Sequence, residues 1–244
     1  MDRRFRSSLQ FLVSTLTIAL TMTLGSSAFA QADTVVGMGV ATYFEDGALS
    51  GEEQVSVQTT DESFDYVSDG FLSGSIWLLK AFSENIRFGG SINYMGRYTA
   101  EIVPEEELDE DEDPETFEFG TLVELVGRFE YLVPTYDRFD LMFGGVLGVP
   151  ILFPSGEFRD EIDRLDDEQA SVWGLPRVGY LIGPAIAGRW AYSEYLYFRA
   201  DFLLKWEQIF MFSTTEDVQG VPFSKDWSVS TLRTEFSLGI EVKL

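Results

Sequence analysis

Polar and apolar residues alternate along most of the chain, and the alternation is strictest at its carboxyl end. Ser228, Ser230, Leu232, Thr234, Phe236, Leu238, Ile240, Val242 and Leu244 share one parity, and Val229, Thr231, Arg233, Glu235, Ser237, Gly239, Glu241 and Lys243 share the other. A period of two places each set on its own face of a β-strand. The first face ends in five successive apolar residues, whereas the second carries four charges. The same alternation predicts seven earlier strands, at 34–44, 70–82, 86–98, 117–133, 139–149, 172–190 and 195–212, with the last at 227–244.

Between these segments, connections of two kinds take turns. Residues 45–69, 99–116, 150–171 and 213–226 are long and acidic. Residues 83–85, 134–138 and 191–194 are short turns. Within the third long connection, Phe158, Ile162 and Leu165 have helical spacing behind Ser155, so a short helix is expected there. Two prolines interrupt the sixth strand, and proline lacks the N–H that a ladder needs. Pro176 is expected to fall in the preceding loop, and Pro184 to mark a bulge or a break.

Alternation alone does not say which face is outside. A soluble up-and-down barrel of the lipocalin kind would bury the apolar face. Three features favour the opposite arrangement. Strictly alternating long and short connections are a property of membrane barrels. Aromatics on the apolar face cluster at the strand ends, with Phe88, Phe129, Tyr131, Phe139, Trp190 and Phe198 toward the turns and Tyr94, Tyr98, Phe117, Phe119 and Trp206 toward the loops. Two interfacial girdles give that pattern.

Charge supplies the third feature. The polar faces carry nine cations (Arg87, Arg97, Arg128, Arg177, Arg189, Arg199, Lys205, Arg233, Lys243) against eight anions (Glu118, Glu124, Glu130, Asp140, Asp201, Glu207, Glu235, Glu241). A narrow interior needs such balance, because a charge removed from water is costly unless paired. A solvated exterior does not.

Composition then bounds the rest. Arg3, Arg4 and Arg6, an apolar run over 11–24 and Ala28-Phe29-Ala30 read as a secretory signal peptide over 1–30, leaving one barrel domain over 31–244. The apolar run is shorter than the roughly 20 residues of a spanning helix. The leader is net basic by two, which takes the chain's −24 to −26 for the remainder. So acidic a protein is not expected to bind nucleic acid, whose phosphates it would repel. Cysteine is absent, so no disulfide contributes, and so is histidine.

The leader, the eight alternating strands and the F-x-L-x-I-x-V-x-L terminus over 236–244 together resemble the small eight-stranded outer-membrane barrels of Gram-negative bacteria, the OmpA/OmpX type. The resemblance implies a place in the outer membrane among its lipids and lipopolysaccharide. It also implies long loops outside the cell, both mature termini in the periplasm, and a closing strand read by the barrel assembly machinery. That strand usually ends in Phe; here Leu244 stands in its place.

Chemistry is sparsely signalled. Enzymes among small outer-membrane barrels resemble one another in using a histidine base, which this chain lacks. A Ser–Lys or carboxylate-pair mechanism would have to draw on groups such as Glu118 with Glu124 or Glu235 with Glu241, which also suit interior ion pairs. No catalytic, cofactor or metal residue is therefore assigned, and no cofactor is expected. Asp109, Asp111 and Asp113 open like a calcium loop, but Pro114 and Gly120 stand where such a loop needs Gly and Glu. Loose binding of divalent cations by the acidic loops is the most they suggest. The expected role is non-enzymatic, structural or surface-interacting, with a bore filled by paired charges. The alternative is a narrow channel for small or apolar molecules.

Overall fold

The computed structural model describes residues 33–103, 116–136, 138–167, 176–218 and 220–244; the expected leader and the Asp109–Asp113 motif lie outside them. Eight antiparallel strands are formed: β1 (Thr34–Val55), β2 (Gln58–Ala81), β3 (Ile86–Ile102), β4 (Thr116–Tyr136), β5 (Phe139–Pro154), β6 (Arg177–Ala191), β7 (Leu196–Val218) and β8 (Val221–Lys243). Among the described residues a helix, α1 (Gly156–Asp167), lies between β5 and β6. Each strand pairs with its sequence neighbours, and β1 pairs with β8 to close the ring. Closure leaves no edge within the ring and satisfies the backbone between strands, the condition for crossing a bilayer without helices. No helix among the described residues is long and apolar enough to cross a membrane.

Tracing partners around the ring shows the stagger. Gly37 is followed in turn by Trp77, Ser91, Val126, Gly148, Leu181, Glu207 and Thr231, and the path re-enters β1 at Gly47, ten residues from its start. Stagger tilts the strands, and eight of them leave an interior that side chains can just fill.

The faces are those the alternation predicts. Along β8, Arg233 and Glu241 are inaccessible to water, while Leu238 is 54% and Ile240 39% exposed. Met38, Ile76, Ile92, Leu147 and Ile182 continue this apolar exterior around the ring. Near the short turns, Phe82 meets Phe88, Phe88 meets Phe129, and Trp190 stacks on Phe198. Toward the loops, Tyr180 contacts Trp206 and Phe210. An apolar belt between two aromatic girdles, outside a charged interior, makes this a transmembrane β-barrel. The Leu244 N–H donates to the Thr34 carbonyl at 2.9 Å, so both ends of the barrel meet at the short-turn end.

Several expectations are corrected. The spans 45–69 and 213–226 are not loops: β1 runs on to Val55, β2 starts at Gln58, β7 reaches Val218 and β8 starts at Val221. Together they build a four-stranded extension in the order β2-β1-β8-β7. Two of the four long acidic connections expected are therefore mostly paired strand. The helix forms as predicted and buries Phe158, Ile162 and Leu165. The sixth strand begins at Arg177, with Pro176 before it. Pro184 neither bulges nor breaks it. Gly145 pairs with Pro184 on one side, and on the other the ladder skips from Ile182–Trp206 to Ala185–Leu203 in unchanged register.

Register shifts lie elsewhere. One falls between Met95 and Arg97 and another between Tyr98 and Thr99, opposite Gly120 at φ 133°. A bulge adds one residue and so reverses which side chains face inward. Tyr98 and Phe119, expected in the outer girdle, are buried inside, and Arg97 turns out to solvent. Phe117 is partly buried against the same interior cluster.

Candidate functional site

The interior holds two charged layers joined across the bore. In the layer nearer the loops, Arg233 on β8 binds Glu45 on β1 at 2.6 Å and Glu124 on β4 at 2.5 Å, with Glu207 at 3.4 Å. β8 and β4 stand opposite each other in the ring, so the Arg233–Glu124 pair spans the full bore. Lys205 completes this layer, 2.8 Å from Glu124 and 2.6 Å from Glu235, and Asn93 donates to Glu124 at 2.8 Å.

In the layer nearer the turns, Arg199 reaches Glu130 at 2.5 Å, Asp201 at 2.6 Å and Glu241 at 2.8 Å. Arg128 reaches across from β4 to Asp201 on β7 at 2.5 Å, and Arg189 binds Asp140 at 2.5 Å. Trp77 lies beside this layer and donates its indole N–H to Glu241 at 3.0 Å. Glycines make its space: a Cβ at Gly37 would fall 2.2 Å from its ring, and one at Gly239 2.5 Å. Charge-assisted bonds of this length in a dry interior are strong, and each layer depends on all its members.

Above the charged layers an aromatic plug fills the mouth. The hydroxyls of Tyr66 and Tyr98 are 2.8 Å apart and both donate to Glu45, which links the plug to the network. Phe119 stacks on Tyr98, and Phe158 of α1 meets Phe212 edge to face. Burial of Phe158, Ile162 and Leu165 stabilises the docked helix by about 1.5–3 kcal/mol for each side chain, as an upper range. Arg177 lies between Phe158 and Phe212, 5.7 and 5.6 Å from their ring centres. Burial, and then repulsion from Arg159, push its guanidinium down to about 10.

Lys225 fastens α1 to the extension, 3.0 Å from Glu161 and 3.2 Å from Glu53. The Arg164 hydrogen bond, then that of Lys225, hold the Glu161 carboxyl below the usual glutamate range against its partial burial. A carboxyl depressed in the folded state contributes stability above its unfolded value and loses it as pH falls through the folded one. Docking of α1 is therefore expected to weaken on acidification below the ordinary glutamate range. Hydrogen exchange of the α1 amides, corrected for intrinsic rate, should rise there, and Glu161→Gln should flatten the response.

The structure brings most of the expected polar-face residues together and leaves three at the rim. Arg97 and Glu118 pair with each other at the mouth, and Lys243 lies at the turn end. Of the carboxylate pairs considered for catalysis, Glu118 accepts from Ser155 at 2.7 Å, while Glu124, Glu235 and Glu241 each bind a buried cation. Among the described residues no cluster has the make-up of a metal site. Sequence reasoning missed Glu45 and Lys225 because both fell in presumed loops. Parity carried the signal: Gly37, Gly39 and Ala41 lead through Tyr43 to Glu45, and Val229 leads back through Trp227 to Lys225.

No protein-family model matches the chain, and no curated protein matches it. Solved structures do. The outer membrane protein OprG of Pseudomonas aeruginosa is 11% identical at a TM-score of 0.46, over 87% of this chain and 96% of that one. AlkL, solved in lipid bilayers, is 14% identical at 0.40, over 90% and 93%. Neisserial surface protein A is 12% identical at 0.38, over 84% and 99%. At such identity the likeness is one of fold.

Proposed function

We propose that the protein is a sealed, non-enzymatic barrel of the outer membrane whose business lies at its outward end. The observation that carries this reading is the set of ion pairs between strands that are not neighbours. Arg233–Glu124, Arg128–Asp201 and Arg199–Glu130 each cross the bore, and the aromatic plug and α1 lie above them. Water is excluded from Glu124, Lys205, Glu207 and Arg233 at one level, so an aqueous channel would have to break that layer. Purified protein in planar bilayers is expected to give no discrete current steps; reproducible steps would sink the sealed reading.

Outward display is the complementary half. In this reading the termini face the periplasm and the extension stands outside the cell. Its outer face carries Asp46, Glu52, Asp61, Asp65 and Asp226 among Ser, Thr, Ala, Gln54 and Val67, with no Lys or Arg among the described residues. Asp61, Glu52 and Asp226 lie directly opposite one another on three adjacent strands. Like charges so placed repel, so cationic groups, or divalent cations shared with lipopolysaccharide phosphates, are the partners this face suits. The outward alternation of Phe236 to Leu244 suits lipid contact and recognition by the assembly machinery.

A further inference from the structure

The two charged layers differ in their balance. Among the described residues, the layer nearer the turns sets Arg87, Arg128, Arg189 and Arg199 against Glu130, Asp140, Asp201 and Glu241. Its cations and anions are equal in number. The layer nearer the loops sets Lys205 and Arg233 against Glu45, Glu124, Glu207 and Glu235. All of these last six side chains are buried. Fully ionised, that layer would hold more negative than positive charge away from water. A buried charge without a partner is costly enough to be neutralised instead.

The four carboxylates are not equally served. Glu45 accepts from Arg233 at 2.6 Å and from the hydroxyls of Tyr66 and Tyr98. Glu124 accepts from Arg233 at 2.5 Å and from Lys205 and Asn93 at 2.8 Å each. Glu235 meets Lys205 at 2.6 Å. Glu207 is inaccessible to water, and Arg233 reaches it only at 3.4 and 3.5 Å. Contacts of that length are weak. Thr231, directly across the ladder, is buried with its hydroxyl unpaired among the described residues, so it does not serve Glu207 either.

The rest of the surroundings offers Glu207 no cation of its own. Lys205, on the same strand, is held by Glu124 and Glu235. Toward Glu207, β1 brings Glu45, β2 and β3 bring Tyr66 and Tyr98, and β4 brings Glu124. On β6 its ladder partner is Leu181, and Arg177 lies farther out between Phe158 and Phe212. The one charge on β5, Asp140, belongs to the other layer.

We propose that Glu207 keeps its proton in the folded barrel at neutral pH, and that the layer nearer the loops is a latch which alkali loosens. Loss of the proton sets a third carboxylate against Glu45 and Glu124 around Arg233, and strains the contacts that join β1, β4, β7 and β8. A carboxyl that is protonated in the folded barrel and ionised in the unfolded chain binds one more proton when folded. Its contribution is full below the ordinary glutamate range and is lost as pH rises through the value at which the folded barrel releases the proton. The inference shares the burial of this layer with the sealed reading. It is read without any ion flow, so its failure would leave that reading standing.

Infrared difference spectra of the refolded barrel in lipid vesicles detect the C=O stretch of a protonated carboxyl, which ionised loop carboxylates do not give. The parent is expected to show this band at about pH 7 and to lose it by about pH 10, and Glu207→Gln should lack it. Urea unfolding is the second readout. Glu207→Gln imitates a neutral carboxyl, so its midpoint should match the parent's at about pH 7 and exceed it at about pH 10. Glu124→Gln, which removes an ionised partner of both cations, should unfold earlier at both. A parent with no such band at neutral pH, or a band that survives Glu207→Gln, would overturn the assignment. So would a Glu207→Gln barrel that unfolds early, or fails to refold, at neutral pH. A parent that keeps pace with Glu207→Gln in alkali would overturn the latch.

Discussion

Arg233→Met is expected to destabilise the barrel by about 3–5 kcal/mol, measured by urea unfolding from lipid vesicles. Arg233 is inaccessible to water and holds Glu45, Glu124 and Glu207 from the centre of the upper layer. Its removal leaves Lys205 as the cation facing four buried carboxylates, since Glu235 is bound there too. The cost comes from the carboxylates left behind rather than from the lost bonds. Adding Glu45→Gln, Glu124→Gln and Glu207→Gln to Arg233→Met should therefore recover part of the loss. A single substitution that unfolds within about 1 kcal/mol of the parent would mean that water reaches the layer, as it does in exposed pairs.

Leu238→Lys is expected to cost about 2–4 kcal/mol, because a cation on the lipid face near the bilayer midplane finds no water. Leu238 lies between Val40 on β1 and Ala200 on β7, in the apolar belt between the aromatic girdles. Ile240→Lys, one step nearer the turns, sits beside Phe198 of the turn-side girdle and should cost only about 0–1 kcal/mol. The contrast tests depth as well as face. If both substitutions unfolded like the parent, the apolar face would not be lipid-exposed; if Ile240→Lys cost more, the belt would lie closer to the turns.

How much of this was legible in the sequence differs by level. Strand count, the placing of the three short turns, and the inward set along β8 follow from parity and turn residues, because each face meets a single environment. The spans of the strands did not. Once β1 and β8 leave the bilayer, as at Gly51 to Val55 and Val221 to Asp226, one face no longer has to be apolar, and the alternation fades while the ladder continues. Bulges were the second blind spot. Gly120 takes a conformation suited to glycine, yet nothing in the residues around Met95 and Tyr98 announces the shift that turns Tyr98 and Phe119 inward. The ionic layers were visible as a balanced list of charges, but their partners were not, since strands opposite each other in the ring are distant in the chain.

The β1–β8 seam has a kinetic consequence. It runs from Val35–Lys243 to Val55–Phe223 and joins the two ends of the barrel-forming chain. Almost the whole chain must therefore be held as a loop before the seam can zip, and contacts so distant in sequence slow folding. Until then β1 and β8 are both open edges, competent to pair with another molecule. Once shut, the same seam has to part along its length before the ring can open. The protein should accordingly assemble slowly without a catalyst, and its persistence in the membrane should be governed by a barrier to opening rather than by its equilibrium stability.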